Sequence, residues 1–198
     1  RDYVLVLHAD NGGSPCGSYC DSSNYPLRGM KFFDFEGGLK VPALVYSPSR
    51  LGAGRTYSGL FHHVDWTATF MALAGNSLEG CDDCDSVSHW QALVAGDVDG
   101  AKYDVREHVA FSTHATGSAL RIRNYKYLKN RSNQTWYALG AELSDCMTAS
   151  HDTFLFDLDA DPYETTNLAL DADYAAVVQS FDAEIQRIAA DEYVARSL

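Results

Sequence analysis

The sequence has 198 residues and a formal charge of −12, from 15 Lys and Arg against 27 Asp and Glu. That length suits one domain of good size, or one domain with a smaller partner. Hydrophobic residues at 46% and charged residues at 21% supply enough apolar surface to offset chain entropy, which disfavours a disordered chain; the acid excess argues against a nucleic-acid binder, which needs clustered Lys and Arg.

The acids comprise 20 Asp and 7 Glu. Asp favours caps, turns and metal sites, whereas Glu is the better helix former, so the negative charge is expected in loops and caps. No run of about 18 apolar residues occurs, so no membrane span is expected.

The first element is a strand over Tyr3-Val4-Leu5-Val6-Leu7, a continuous apolar run that reads as buried on both faces. Such a strand needs neighbours on both sides, so the expectation is that the chain starts at a cut and that a preceding part of the protein completes the sheet. Asp10-Asn11-Gly12-Gly13 follows at once, then a Ser, Gly and Pro-rich loop to about Arg28. Leu39 to Tyr46 reads as a second strand interrupted by Pro42. Arg50 to Gly54 is a turn. Asp65 to Ala74 reads as a helix with Asp65 as N-cap, with Trp66, Phe70, Leu73 and Ala74 on one face, and with Gly75 at the C′ position. Ser88 to Ala95 is a second short helix, with Trp90, Leu93 and Val94 inward and Gly96 closing it.

Beyond Gly96 to Gly100 short strands dominate: His108 to Thr113, Ala119 to Arg123, Tyr125 to Lys129 and Thr153 to Leu158. Asn124 marks a tight hairpin or bend. A helix from about Asp173 to Ala195 carries Tyr174, Val177, Val178, Phe181, Ile185 and Ile188 as one apolar stripe. The boundary is placed near residue 100, with residues 1–100 as part of an α/β domain and residues 101–198 as a small antiparallel sheet with a covering helix.

Ligands in open α/β sheets bind beyond the carboxyl ends of the strands. Asp10 and Asn11 stand at such an end, and a carboxylate beside an amide oxygen suits a hard cation such as Ca²⁺ or Mg²⁺. On spacing alone a plain Asx-Gly turn is the better reading. Lys31 offers a point charge for an anionic group, although an isolated Lys is more often simply solvated. Glu36, before Gly37-Gly38, is read as holding a turn rather than as a ligand. His62 and His63 are read as packing or capping before the helix.

Asp157, Asp159 and Asp161 imitate an EF-hand start, but Pro162 stands where Gly is needed and Leu168 where the bidentate Glu belongs; this is a strand end and turn. Cys81 and Cys84 have zinc-ribbon spacing with no second pair, and acidic neighbours disfavour a reactive thiolate, so Cys16, Cys20, Cys81, Cys84 and Cys146 are read as disulfide formers with one left over. Asn130-Arg131-Ser132 and Asn133-Gln134-Thr135 are consecutive glycosylation sequons at Asn130 and Asn133.

Together the segments say more than any one alone. Asp10-Asn11-Gly12-Gly13, Asn24-Tyr25-Pro26-Leu27-Arg28-Gly29-Met30-Lys31 and Glu36-Gly37-Gly38-Leu39-Lys40-Val41-Pro42 run in an order that resembles the central region of type I sulfatases, nearest to the arylsulfatase B branch. His63-Val64-Asp65-Trp66 with Leu73-Ala74-Gly75, Ala119-Leu120-Arg121 with Tyr125-Lys126-Tyr127, and Leu155-Phe156-Asp157-Leu158 with Asp161 to Ala169 extend the resemblance over nearly the whole chain.

The resemblance implies an α/β, alkaline-phosphatase-like sulfatase fold: the C-terminal part of a large mixed-sheet domain, then a small antiparallel-sheet domain with a C-terminal helix. It implies that Asp10 and Asn11 coordinate Ca²⁺, with Mg²⁺ as the alternative, and that Lys31 contacts the sulfate and steadies the leaving ester oxygen, where charge develops during S–O cleavage. Sulfatases take their nucleophile from a formylglycine made in a C/S-x-P-x-R motif. The nearest approach here, Tyr46-Ser47-Pro48-Ser49-Arg50, has Tyr at the precursor position.

The expectation is therefore a sulfuric ester hydrolase whose formylglycine and remaining ligands come from a missing N-terminal half, its chief partner alongside a sulfate ester substrate. This chain alone should be inactive. The place of action expected is the secretory pathway, extracellular or lysosomal. The competing expectation is a non-catalytic sulfatase-like component of an extracellular assembly.

Overall fold

The computed structural model describes residues 2–15, 22–52, 54–79, 81, 84–96, 104–114, 117–136 and 150–196, with no side-chain description at 114 or 191–196. Cys16, Cys20 and Cys146 lie outside the described residues. The chain divides into two compact units interleaved in sequence, Arg1–Leu7 with Leu44–Val109 and His8–Ala43 with Ala110–Leu198.

The first unit carries strands β1 (Leu5–His8) and β2 (Ala43–Tyr46), except for the end residues His8 and Ala43, and helices α2 (Asp65–Leu73) and α3 (Trp90–Ala95), while the short helix α1 (Glu36–Leu39) belongs to the second unit. β1 pairs with β2 in a two-stranded sheet. The apolar run predicted to be buried on both faces is open instead: Leu5 is 54% and Leu7 68% exposed, and Tyr3, Leu44 and Tyr46 are exposed too. Two strands bury neither face, since a sheet needs a further layer to cover its apolar side.

The N-cap of α2 is Val64, not Asp65, whose side chain turns inward and is fully buried. The buried face is Asp65, Ala68 and Thr69, while Phe70 stands exposed and stacks on Trp66. Asp65 draws the face round because its carboxylate has partners on the inside. The C-terminus follows the sequence closely: Gly75 has φ +76, its N–H donates to Ala72, and the Asn76 N–H donates to Met71, so the last carbonyls are satisfied in a Schellman turn. In α3, Trp90 is buried and Val94 is exposed, and Gly96 closes the helix with φ +81.

The second unit is built on a four-stranded sheet in the order β3 (His108–His114, its first two residues counted with the first unit), β4 (Gly117–Ile122), β5 (Tyr125–Ser132), β6 (His151–Asp157). β4 and β5 form a tight antiparallel hairpin with Ile122 opposite Tyr125, closed by Arg123 at φ +52 and Asn124. β5 and β6 pair antiparallel, with a register break between Leu128 and Arg131. Period-two alternation gives this sheet two buried faces. Ala119, Leu128, Phe154 and Phe156 pack on one face with Phe35 and Leu158. Leu120, Tyr127 and Leu155 pack on the other with Phe181 and Ile185. Those last two belong to α4 (Ala175–Arg196), which follows a 3₁₀ turn over Ala172–Tyr174 and presents the predicted stripe. Each such side chain, fully buried, is worth roughly 1.5–3 kcal/mol. The face carrying Ala119 and Leu128 is covered by residues 28–38, the segment that holds Lys31.

Candidate active site

Asp10 and Asn11 follow β1 after Ala9, and the backbone beyond them is pinned. The Gly12 N–H donates to the Gly38 carbonyl at 2.9 Å. A Cβ at Gly12 would overlap the Gly37 carbonyl oxygen, so only glycine permits this approach. Gly13 is held twice by Asn24: its N–H donates to Oδ1 at 2.7 Å, and its carbonyl accepts from Nδ2 at 2.9 Å. The same carbonyl accepts from the Lys31 N–H at 3.0 Å. Asn24 Nδ2 also donates to the Gly29 carbonyl at 3.2 Å. Thus the three segments carrying Asp10-Asn11, Lys31 and Gly37-Gly38 form one backbone-bonded cluster. Asn24 was legible only as part of a motif; a side-chain amide that bonds both backbone groups of one residue carries no periodic signal.

Asp10 is exposed, and Asn11 and Lys31 are half-buried. Among the described residues, none of these side chains is engaged in a hydrogen bond or ion pair, and Lys31 Nζ lies 5.4 Å from the centre of the Phe32 ring. The donor set is thus one carboxylate and one amide oxygen, with the Lys31 cation on a segment bonded through its backbone to Gly13. Among the described residues, His, Cys, Asp and Glu form no cluster of three that could hold a metal ion.

The cluster is fixed to the sheet by two buried charged groups. Arg28 spreads its guanidinium over three acceptors, with Nε to the Gln134 carbonyl at 2.7 Å, Nη1 to the Glu164 carbonyl at 2.8 Å and Nη2 to Asn133 Oδ1 at 2.8 Å. It also stacks over Phe35, 4.4 Å from the ring centre. Glu36 is neither a ligand nor merely a turn former. Its carboxylate receives Lys126 Nζ at 2.9 Å, and its backbone N–H donates to Glu164 Oε2 at 2.8 Å. Lys126 Nζ lies 2.9 Å from Glu164 Oε1 as well, and Arg131 pairs with Asp34 at 2.9 Å.

Burial alone would raise the pKa of Glu36, but the positive charges of Lys126 and Arg121 outweigh it and hold the carboxyl below its ordinary value. Burial would lower Lys126; its two carboxylates reverse that and raise it. Burial and the neighbouring Glu36 raise Glu164 despite Lys126.

Elsewhere, Asp65 anchors a buried polar network in the first unit. It accepts from Arg106 Nε at 2.8 Å and Nη2 at 2.5 Å, and from the N–H groups of His62 at 2.9 Å and Val87 at 3.0 Å. His89 Nε2 lies 3.1 Å away, and Tyr57 Oη meets His89 Nδ1 at 2.7 Å. An Nε2–H donating to Asp65 leaves Nδ1 to accept from Tyr57. His62 and His63 sit ring against ring at the start of α2, in the packing role expected of them. The sequons are unlike one another: Asn130 is exposed with φ +51, whereas Asn133 is half-buried against Arg28. Cys81 and Cys84 are joined by a disulfide.

Residues 1–76 match the sulfatase family model. The chain is 23% identical over 193 residues to arylsulfatase J of Mus musculus, an alignment covering 84% of this chain and 32% of the relative. It is 30% identical over 171 residues to an ulvan-active sulfatase of Formosa agariphila, covering 79% and 34%. The crystal structure of the PsFucS1 sulfatase from Pseudoalteromonas sp. superposes with a TM-score of 0.65 at 21% identity, covering 92% of this chain and 36% of that one. The chain is a distant, partial relative of the type I sulfatases and spans about a third of the length of the curated relatives it matches. Its fold is a fragment of the alkaline-phosphatase-like sulfatase fold.

Proposed function

We propose that this distant relative of the type I sulfatases is the C-terminal portion of a sulfuric ester hydrolase of arylsulfatase type, near the arylsulfatase B branch. On this reading residues 1–100 complete the α/β domain and residues 101–198 form the smaller one. The observation that carries the reading is the backbone cluster: bonds from Gly12 to Gly38 and from Gly13 to Lys31 join the segments bearing Asp10, Asn11 and Lys31. Hard oxygen donors uncommitted to any described side chain fit Ca²⁺, with Mg²⁺ as the alternative. Asp10 and Asn11 would hold it, and it would supply positive charge beside the ester's oxygens.

Lys31 binds the anionic sulfate and faces the leaving oxygen as charge develops. The nucleophile does not fit anywhere in this chain, which has no C/S-x-P-x-R sequence. A formylglycine is accordingly assigned to an N-terminal portion, together with the other cation ligands. The Cys81–Cys84 disulfide and the sequons at Asn130 and Asn133 support a secretory, extracellular or lysosomal setting.

Two measurements on the complete protein test this. Peptide mapping should find a C/S-x-P-x-R peptide carrying formylglycine, and Lys31→Ala should abolish aryl sulfate hydrolysis. Absence of that peptide together with no Ca²⁺ binding would favour a non-catalytic sulfatase-like component of an extracellular assembly.

A further inference from the structure

Phe32 follows Lys31 and is out of place by every local rule. Its φ is +82, in the left-handed region where a bulky side chain is strained. It is 81% exposed, the opposite of where an aromatic ring gains energy. The Phe33 N–H donates to the Met30 carbonyl at 3.1 Å, so Lys31 and Phe32 are the central residues of a turn, and Phe32 holds the position that glycine normally takes. The turn is clamped from both sides. Gly13 accepts from the Lys31 N–H, and Gly38 packs so closely on the Met30 and Phe33 carbonyls that a Cβ there would overlap the Phe33 oxygen. The sequence spends conformational energy to stand an open aromatic ring beside one particular ammonium, with Nζ 5.4 Å from the ring centre.

Accepting the sulfatase reading, on which this rests, we propose that Phe32 is a specificity residue that stacks on the carbon ring bearing the sulfate ester. With the anionic head at Lys31, the organic group lies alongside the ammonium, where the Phe32 ring offers its face. The substrate class is therefore a sulfate ester on a ring with an apolar face, either an aryl ring or the C–H face of a sugar. A strained but clamped turn suits this role because the ring is held before the substrate arrives.

The test uses the complete protein, this chain together with its N-terminal portion, and three esters: an aryl sulfate, a sulfated monosaccharide and a ring-free alkyl sulfate. Phe32→Gly should leave thermal stability unchanged or raise it, because it relieves the positive φ. Phe32→Gly and Phe32→Ala should each raise KM about five-fold for the ring ester that is the natural class, with kcat changed little, and leave the alkyl sulfate and inhibition by inorganic sulfate unaffected. Phe32→Trp should restore the lost affinity. The ring ester that responds identifies the source, aryl or sugar.

Unchanged KM for both ring esters would overturn the proposal, as would equal losses on all three esters with a lowered melting temperature, the result expected if Phe32 is instead covered by the rest of the protein. Loss of hydrolysis in Lys31→Ala with no effect at Phe32 would refute the stacking alone; full activity in Lys31→Ala would refute the underlying sulfatase reading.

Discussion

The ammonium of Lys126 lies 2.9 Å from the carboxylate of Glu36, with both side chains buried. This bond joins the strand β5 to the segment bearing Lys31, and Glu164 completes it on the other side of the ammonium. Removing one member of such a group strands the others without a counter-charge in a poorly solvating place.

Lys126→Met should therefore cost about 3–5 kcal/mol at neutral pH, read from urea unfolding, because Glu36 and Glu164 then face each other buried. The triple variant Lys126→Met, Glu36→Gln, Glu164→Gln should recover most of that loss. The contribution of Lys126 has a defined sign. Its raised pKa means stability that is present below its unfolded value of about 10.5 and lost as pH rises through the folded value. A neutral effect of the single variant would show the group to be water-exposed in solution.

Asp65 behaves oppositely with pH. Burial would raise its pKa, but hydrogen bonds from His89, Arg106 and the N–H groups of Val87 and His62 push it far below the usual carboxylate range. The stability it confers is complete above its unfolded value of 3.8 and drains away as pH falls toward the folded value. Asp65→Asn should be less stable at pH 7, and the gap from the parent should narrow below about pH 4. Parallel acid limbs for the two proteins would contradict this.

Little of either network was legible in the sequence. Strand and helix positions followed from alternation and the α4 stripe, and Gly75 and Gly96 ended their helices where a C-terminal glycine should. Lys126 sits in the alternating run Tyr125-Lys126-Tyr127-Leu128, where a single Lys looks like the outward residue of a half-exposed strand. It is inward because residues 28–38 cover that face, a tertiary fact that no local pattern encodes. Asp65 reads as a cap for the same reason: the donors to its carboxylate come from residues 62, 87, 89 and 106, most of them distant in sequence. Asp10, Asn11 and Lys31 could be picked out only through family resemblance, since each alone is an ordinary turn or surface residue. Their segments prove to be neighbours.

Gly37→Ala tests that neighbourhood. A Cβ at Gly37 would overlap the Gly29 carbonyl and lie 2.5 Å from the Arg28 carbonyl oxygen. The helix turn carrying Gly38 must then withdraw from Gly12. Ca²⁺ affinity of the complete protein, measured by calorimetry, should fall about tenfold or more, as when groups supporting a metal's ligands are lost. An unaltered affinity would separate the glycine cluster from the cation site.

Arg28→Lys should not be conservative. An ammonium cannot hold the Gln134 and Glu164 carbonyls and Asn133 Oδ1 in one plane, so at least one buried acceptor loses its partner. The expected cost is about 2–3 kcal/mol in chemical denaturation. A stability equal to the parent's would mean that the cation alone matters there, not the fork.

The strands β1 and β2 carry a practical consequence. Leu5, Leu7, Leu44 and Tyr46 offer apolar side chains to water on a sheet that has two strands among the described residues, and each such edge is a template for another chain's backbone. The isolated polypeptide's tendency to associate then comes from those few residues and is opposed by its charge of −12. Light scattering should show growing particles as it is concentrated, and faster growth in salt, which screens the repulsion that the acidic surface provides.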